Sequence, residues 1–138
     1  MTLRVFKTRT FTRWSKQVGL SDAMLWKSVD EMRDGLLDAD LGGHVVKKRI
    51  ALPGRGKRGG VRTLVATRLA KRWFFLYGFS KNERSDISTN ALRGFQELAK
   101  ELLGFDEREL AIAVAAGELL ELKRGQDKSK KSDVRGDP

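Results

Sequence analysis

Apolar residues recur along this chain in two rhythms, one near every third or fourth position and one at every second, and the switches between them mark its elements. Leu3, Val5 and Phe6 alternate briefly with their neighbours and read as a short strand ending at Thr8, at an edge or the centre of a sheet. Thr8, Thr10 or Thr12 then caps a helix with Phe11, Trp14, Ser15 and Val18 inward and Arg13, Lys16 and Gln17 outward, ended by Gly19. Ser21 caps a second helix with Asp22 in its first turn and Leu25, Val29, Met32 and Leu36 along one face. The two helices form a hairpin to be laid across a sheet, and Asp38-Ala39-Asp40-Leu41-Gly42-Gly43 is the turn leading out of it.

From His44 the period becomes two. Strands are expected over His44 to Leu52, Val61 to Leu69 and Arg72 to Phe79, each rich in β-branched or aromatic residues, with Pro53 to Gly60 as a glycine-rich basic loop. In the middle strand Val61, Thr63, Val65, Thr67 and Leu69 share one face, while Arg62, Leu64, Ala66 and Arg68 share the other, so one face is apolar and the other carries two arginines. The helical period returns with Ala91, Leu92, Phe95, Leu98, Ala99, Leu102 and Leu103, ending at Gly104. Asp106 and Glu109 have the spacing of a capping box, with Phe105 set to touch Leu110, over a short helix reaching about Gly117. Residues 118–122 fit a last strand or a helical continuation. Residues 123–138 are almost wholly polar and are expected to be a disordered charged tail, leaving 1–122 as the folded domain.

Charge sharpens this picture. The chain carries a net +10, and residues 44–84 hold twelve Lys and Arg against the single acid Glu83, a net +11, while the flanks come to +1 and −2. A folded sheet with that concentration attracts a polyanion, whereas a basic surface kept only for solubility would be spread more evenly. The chain has no cysteine and one histidine, which excludes a disulfide framework, a thiol nucleophile and a thiolate metal site. No metal or other cofactor is expected. No stretch approaches the ~20 apolar residues of a membrane span, so a cytoplasmic protein without a membrane partner is expected.

Cleavage of RNA without a metal requires a proton taken from the 2′-hydroxyl, a proton given to the leaving 5′-oxygen, and stabilisation of charge at phosphorus. Arginine and lysine suit the last task, and a lysine crowded by like charges has its pKa pushed down and can serve as a base. Arg62, Lys57, Lys81 and Arg84 are the candidate catalytic residues; Lys47, Lys48, Arg49, Arg55, Arg58 and Arg68 are the candidate RNA-binding residues. His44, beside Gly42-Gly43, reads as a turn residue, and Trp14 and Tyr77 as packing residues. Gly54, Gly56, Gly59 and Gly60 do not follow the order of a Walker loop.

The order of strand, two helices and sheet, with Val46-Lys47-Lys48-Arg49, Gly60-Val61-Arg62-Thr63-Leu64-Val65 and Phe74-Phe75-Leu76-Tyr77-Gly78-Phe79-Ser80-Lys81-Asn82-Glu83-Arg84-Ser85-Asp86-Ile87-Ser88, resembles the RelE/HigB-like toxins of bacterial toxin-antitoxin systems over roughly Val5 to Leu122. The resemblance implies an α+β fold, with an N-terminal helical hairpin on a small, mostly antiparallel sheet followed by C-terminal helices. It also implies metal-independent cleavage of mRNA, often at the ribosome, and a small antitoxin encoded nearby. By position, Arg62 matches the strand arginine that contacts the phosphate, Lys57 lies in the lysine-bearing loop, and Lys81 and Arg84 fall in the basic stretch after the last central strand. Asn82, Ser88 and Val61 stand where RelE has an arginine, its C-terminal tyrosine and another tyrosine; HigB-type relatives also lack parts of that set. Composition fits nearly as well a non-enzymatic nucleic-acid-binding protein or a ParE-like toxin that poisons gyrase, neither of which needs these residues for cleavage.

Overall fold

The computed structural model describes residues 3–54, 56–80 and 87–124, with backbone only at 56–59. The elements are β1 (Arg4–Thr8), α1 (Arg9–Val18), α2 (Asp22–Arg33), β2 (Ala39–Asp40), β3 (Val45–Leu52), β4 (Gly56–Arg68), β5 (Arg72–Ser80), α3 (Thr89–Leu103), α4 (Glu107–Ala115) and β6 (Leu119–Leu122). They form one α+β unit around a six-stranded sheet ordered β2-β3-β4-β5-β1-β6. β1 lies inside the sheet, parallel to β5 and antiparallel to β6; every other pairing is antiparallel.

Local chemistry explains most of these boundaries. The Thr8 hydroxyl accepts from the Phe11 amide at the start of α1, and Gly19 ends that helix at φ 78°, a conformation that costs a side chain energy. Ser21 caps α2, Ser88 caps α3, and Asp106 with Glu109 completes the expected capping box on α4. Arg9 donates to the carbonyls of Ala116 and Gly117, so a cation satisfies the C-terminal end of α4.

Helices cover both faces of the sheet. Phe11, Leu25, Val29 and Met32 of the hairpin join Val5, Val46, Ile50, Val65 and Phe75 in one core, and Ala99, Leu102, Leu110 and Ala113 join Phe6, Val45, Leu64, Ala66 and Phe74 in a second. This corrects the expectation of one apolar and one basic face: Leu64 and Ala66 are fully buried between the two arginines of their own face. Leu36 lies beyond the end of α2 and is 59 % exposed rather than aligned with Met32.

Two further corrections concern the sheet. The segment expected as a turn contains β2, whose Ala39 and Asp40 pair with Lys47 and Val46. The glycine-rich stretch is mostly strand, since β4 begins at Gly56 and meets β3 through a register shift between Ile50 and Leu52. Gly60 sits so close to β3 that a Cβ would lie 2.8 Å from the Ile50 carbonyl oxygen, and a Cβ on Gly78 would fall 2.0 Å from the Trp14 ring. These glycines serve close approach, which period-two pattern alone does not display.

The last element is the strand, not the helical continuation. Beyond it Lys123 and Arg124 dock: the Trp26 indole donates to the Lys123 carbonyl at 2.9 Å, and Arg124 pairs with Asp30 while lying 4.4 Å over the Trp26 ring. Lys123 and Arg124, placed by sequence in the tail, thus make contacts with α2, and the rest of the expected tail lies outside the described residues.

Candidate nucleic-acid interface

Pairing of β3 with β4 sets Arg49 directly opposite Arg62. Both residues lie on the face shared with Leu64, and Lys47 is on that face one pair further along, opposite Leu64. On the far side of β4, Arg62 pairs with Phe79 and Leu64 with Tyr77. The Tyr77 ring lies 6.1 Å from Phe79 and 5.0 Å from Phe95 of α3, so an aromatic cluster lies on the strand beside Arg62. The register shift between Leu64 and Val65 places Leu76 and Tyr77 consecutively on this same side, which turns Tyr77 toward α3.

α3 runs along this face from the level of Tyr77, beneath Phe95, to the level of Arg68, which donates to the Leu103 carbonyl at 3.5 Å. Its buried residues cluster in its last two turns, and its N-terminal end is directed toward the Arg62 half of the sheet.

Among the described residues, neither the Arg49 nor the Arg62 side chain has an ion-pair partner; Arg49 is exposed and Arg62 half-buried. Like charges directly opposite each other in a sheet cost roughly 0.2–1 kcal/mol. A fold that accepts that cost sets two arginines at directly opposed positions of one face, residues whose forks suit a phosphate diester. The backbone amide of Arg49 donates to the Asp38 carboxylate, whose own amide donates to the Lys47 carbonyl at 2.9 Å. That acid is therefore spent on holding the edge of β3.

The other charges named from sequence are distributed differently. Lys48 is on the opposite face, buried under α2, with its ammonium 2.9 Å from Glu31 and 2.8 Å from the Leu36 carbonyl. Arg68 is at the far end of β4, beside Arg72, which pairs with Glu107 and donates to the Phe105 carbonyl. The structure does not bring Lys48 or Arg68 to the Arg49–Arg62 patch. Lys57 and Arg58 lie in β4 with side chains outside the described residues, and Arg55, Lys81 and Arg84 lie outside them altogether. His44 is an exposed turn residue with φ 67°. Sequence reading named Arg49 and Arg62 separately but missed their pairing, because the shift between Ile50 and Leu52 breaks any count taken outward from the hairpin loop.

Geometry thus defines a small α+β protein with a paired-arginine patch on one half of one sheet face. Over residues 3–122 the chain matches the family described as RelE toxin of the RelE / RelB toxin-antitoxin system. It belongs to this family of toxins. Among curated proteins, none matches the chain. Among the described residues no helix is long and apolar enough to cross a membrane, and no group of His, Asp and Glu is placed to hold a metal ion.

Proposed function

We propose that this toxin is a metal-independent endoribonuclease of the cytoplasm that cuts mRNA at the ribosome and thereby stops translation. The observation that carries the reading is the opposed Arg49–Arg62 pair, without an ion-pair partner among the described residues and with an aromatic cluster on the strand beside Arg62. In the reaction the RNA 2′-oxygen bonds to the adjacent phosphorus as the bond from phosphorus to the 5′-oxygen breaks, leaving a cyclic phosphate and a 5′-hydroxyl. Arg62, half-buried and fixed by its strand, is the phosphate clamp; Arg49 shares the charge that builds on the non-bridging oxygens. Lys57, Lys81 and Arg84 are assigned to the two proton transfers and leaving-group charge, and Lys47, Arg55 and Arg58 to the RNA path. The departures at Asn82, Ser88 and Val61 favour the HigB-like branch of the resemblance.

RelE-family toxins pair with a RelB-type antitoxin, and we assign this chain a cognate partner of that kind. Expression of the parent and of Arg62→Ala, followed by mapping of RNA 5′-ends, tests the function. The expected outcome is cut transcripts and growth arrest with the parent, in the presence or absence of chelator, and neither with the variant. Equal arrest by both proteins, cleavage abolished by chelator, or a DNA-damage response with intact transcripts would each replace this mechanism with another.

A further inference from the structure

The outward side of α4 is not that of a solvated helix. Leu110 and Ala113 belong to the second core, and at about 100° per residue this puts Arg108, Ala111, Ile112 and Ala115 on the opposite side. A surface helix carries polar residues there. Here Ala111, Ile112, Val114, Ala115 and Ala116 are all exposed, Ile112 by 60 %. A single exposed apolar residue is ordinary, but a contiguous apolar face over two turns marks a contact.

The surface beside this face complements it. A hollow of about 170 Å³ is floored by Phe105 and Ala113 and rimmed by Glu109, Ile112 and Glu118, so an apolar knob and an apolar recess are neighbours. The charges are arranged in the same spirit. Glu107 is answered by Arg4 and Arg72, and Glu109 by the Asp106 amide. Arg108, one turn before Ile112, and Glu118, past the other end of the helix, have no ion-pair partner among the described residues. The face therefore runs from a cation through an apolar centre to an anion, and a surface of that form fits itself when rotated by half a turn. A two-fold axis at Ile112 brings Arg108 of one copy level with Ala116 of the other, within an arginine side chain's span of Glu118. Glu101, Glu109 and Glu118 around the neighbouring hollows disfavour RNA as the occupant.

We infer that two copies of this chain pair through α4 as an antiparallel, two-fold dimer. Ile112 of each copy fills the Phe105–Ala113 recess of the other, Arg108 of each meets Glu118 of the other, and Ala111 and Ala115 let the helices approach closely. The inference does not depend on the cleavage reading. α4 shares its core with Leu119 of β6, which β1 and β5 separate from β4, so the contact is set apart from the Arg49–Arg62 patch.

The test uses the full chain made inactive by Arg62→Ala, followed by sedimentation equilibrium over a concentration series, with melting checked for each variant. The parent is expected to associate to a dimer. Ile112→Glu puts a carboxylate at the centre of the contact and should raise the dissociation constant at least about tenfold. Arg108→Glu and Glu118→Arg each oppose like charges twice per dimer and should each raise it roughly tenfold, while the double reversal should return it to within about threefold of the parent. Should Ile112→Glu misfold, the charge reversals still decide. A parent that stays monomeric at every concentration overturns the inference, as does a dimer indifferent to Ile112→Glu or one in which the two reversals add instead of cancelling. Ile112→Glu that weakens antitoxin binding, with a monomeric parent, would give the face to the antitoxin. Ile112→Glu that impairs RNA cleavage in the otherwise active chain, with self-association unchanged, would give it to the RNA path; either overturns the dimer.

Discussion

Arg62 and Arg68 occupy the same strand and the same face, six positions apart, and differ in almost everything else. Arg68 too stands opposite an arginine, Arg72, but there the arginines are answered: Arg68 by the Leu103 carbonyl, Arg72 by Glu107 and the Phe105 carbonyl, and nearby Arg4 by Glu121 and Glu107. At the Arg62 end a second arginine stands opposite, and no described carboxylate reaches either side chain. Charge alone does not distinguish these ends. What distinguishes them is whether the fold has spent the charge on its own backbone and acids or left it for an incoming anion.

The sharpest way to break this comparison is Arg49→Ala. Loss of a fixed donor at a developing phosphate charge costs on the order of 100-fold or more in rate, while relief of the opposed charges should leave the melting temperature unchanged or slightly raised. Single-turnover cleavage and thermal melting of the same preparation check both halves. A variant that melts early and cleaves normally would show that the pair is structural.

The satisfied end predicts the opposite signature. Arg4 hydrogen-bonds Glu121 through two nitrogens, at 2.8 Å each, and this holds the Glu121 carboxyl below its usual range, with the Arg4 charge adding to the effect. A carboxylate whose folded pKa is depressed stabilises the fold above its unfolded pKa of ~4.3, and that stability is lost as the pH falls through the lower folded value. Glu121→Gln is therefore expected to lower stability by about 1 kcal/mol near neutral pH. The gap to the parent should close as acid protonates Glu121 in the parent, and denaturant melts at several pH values would reveal it. A gap independent of pH would assign the loss to packing.

Smaller effects are expected at the chain end and at Arg68. Truncation after Leu122 removes the Lys123 carbonyl and the Arg124 cation from Trp26 and should lower the melting temperature by roughly 3–5 °C, the shift that about 1 kcal/mol produces in a domain of this size; truncation after Arg124 should leave it in place. Arg68→Ala should change cleavage by less than about twofold, because a surface charge far from the reacting phosphate is screened within ~8 Å at physiological salt. A large loss of cleavage with Arg68→Ala would show that charge position along β4 matters less than supposed.

The parts of the fold legible in sequence were those set by local rules. Thr8, Gly19, Ser21 and the Asp106–Glu109 box announce helix ends because their partners lie within a few residues. What escaped was set across distance: β2, too short to have a period; the choice between edge and centre for β1; and the second core over Leu64 and Ala66, which depends on α3 returning to the sheet. At the site, Arg49 and Arg62 were legible as charges but not as a pair, and Lys48 was grouped with them although its strand parity turns it to Glu31. One-residue alternation gives the face, but only the partner strand gives the neighbour.

Because β1 is an interior strand, the order of synthesis and the order of assembly run against each other. Its residues leave the ribosome well before either neighbour, since one begins at Arg72 and the other ends at Leu122, and the Arg4–Glu121 clamp spans 117 positions. Contacts this remote in sequence form late and slowly. A nascent chain therefore cannot close its sheet until Leu122 has emerged, so the arginine pair acquires its completed scaffold only after the whole span from Arg4 to Leu122 has been made.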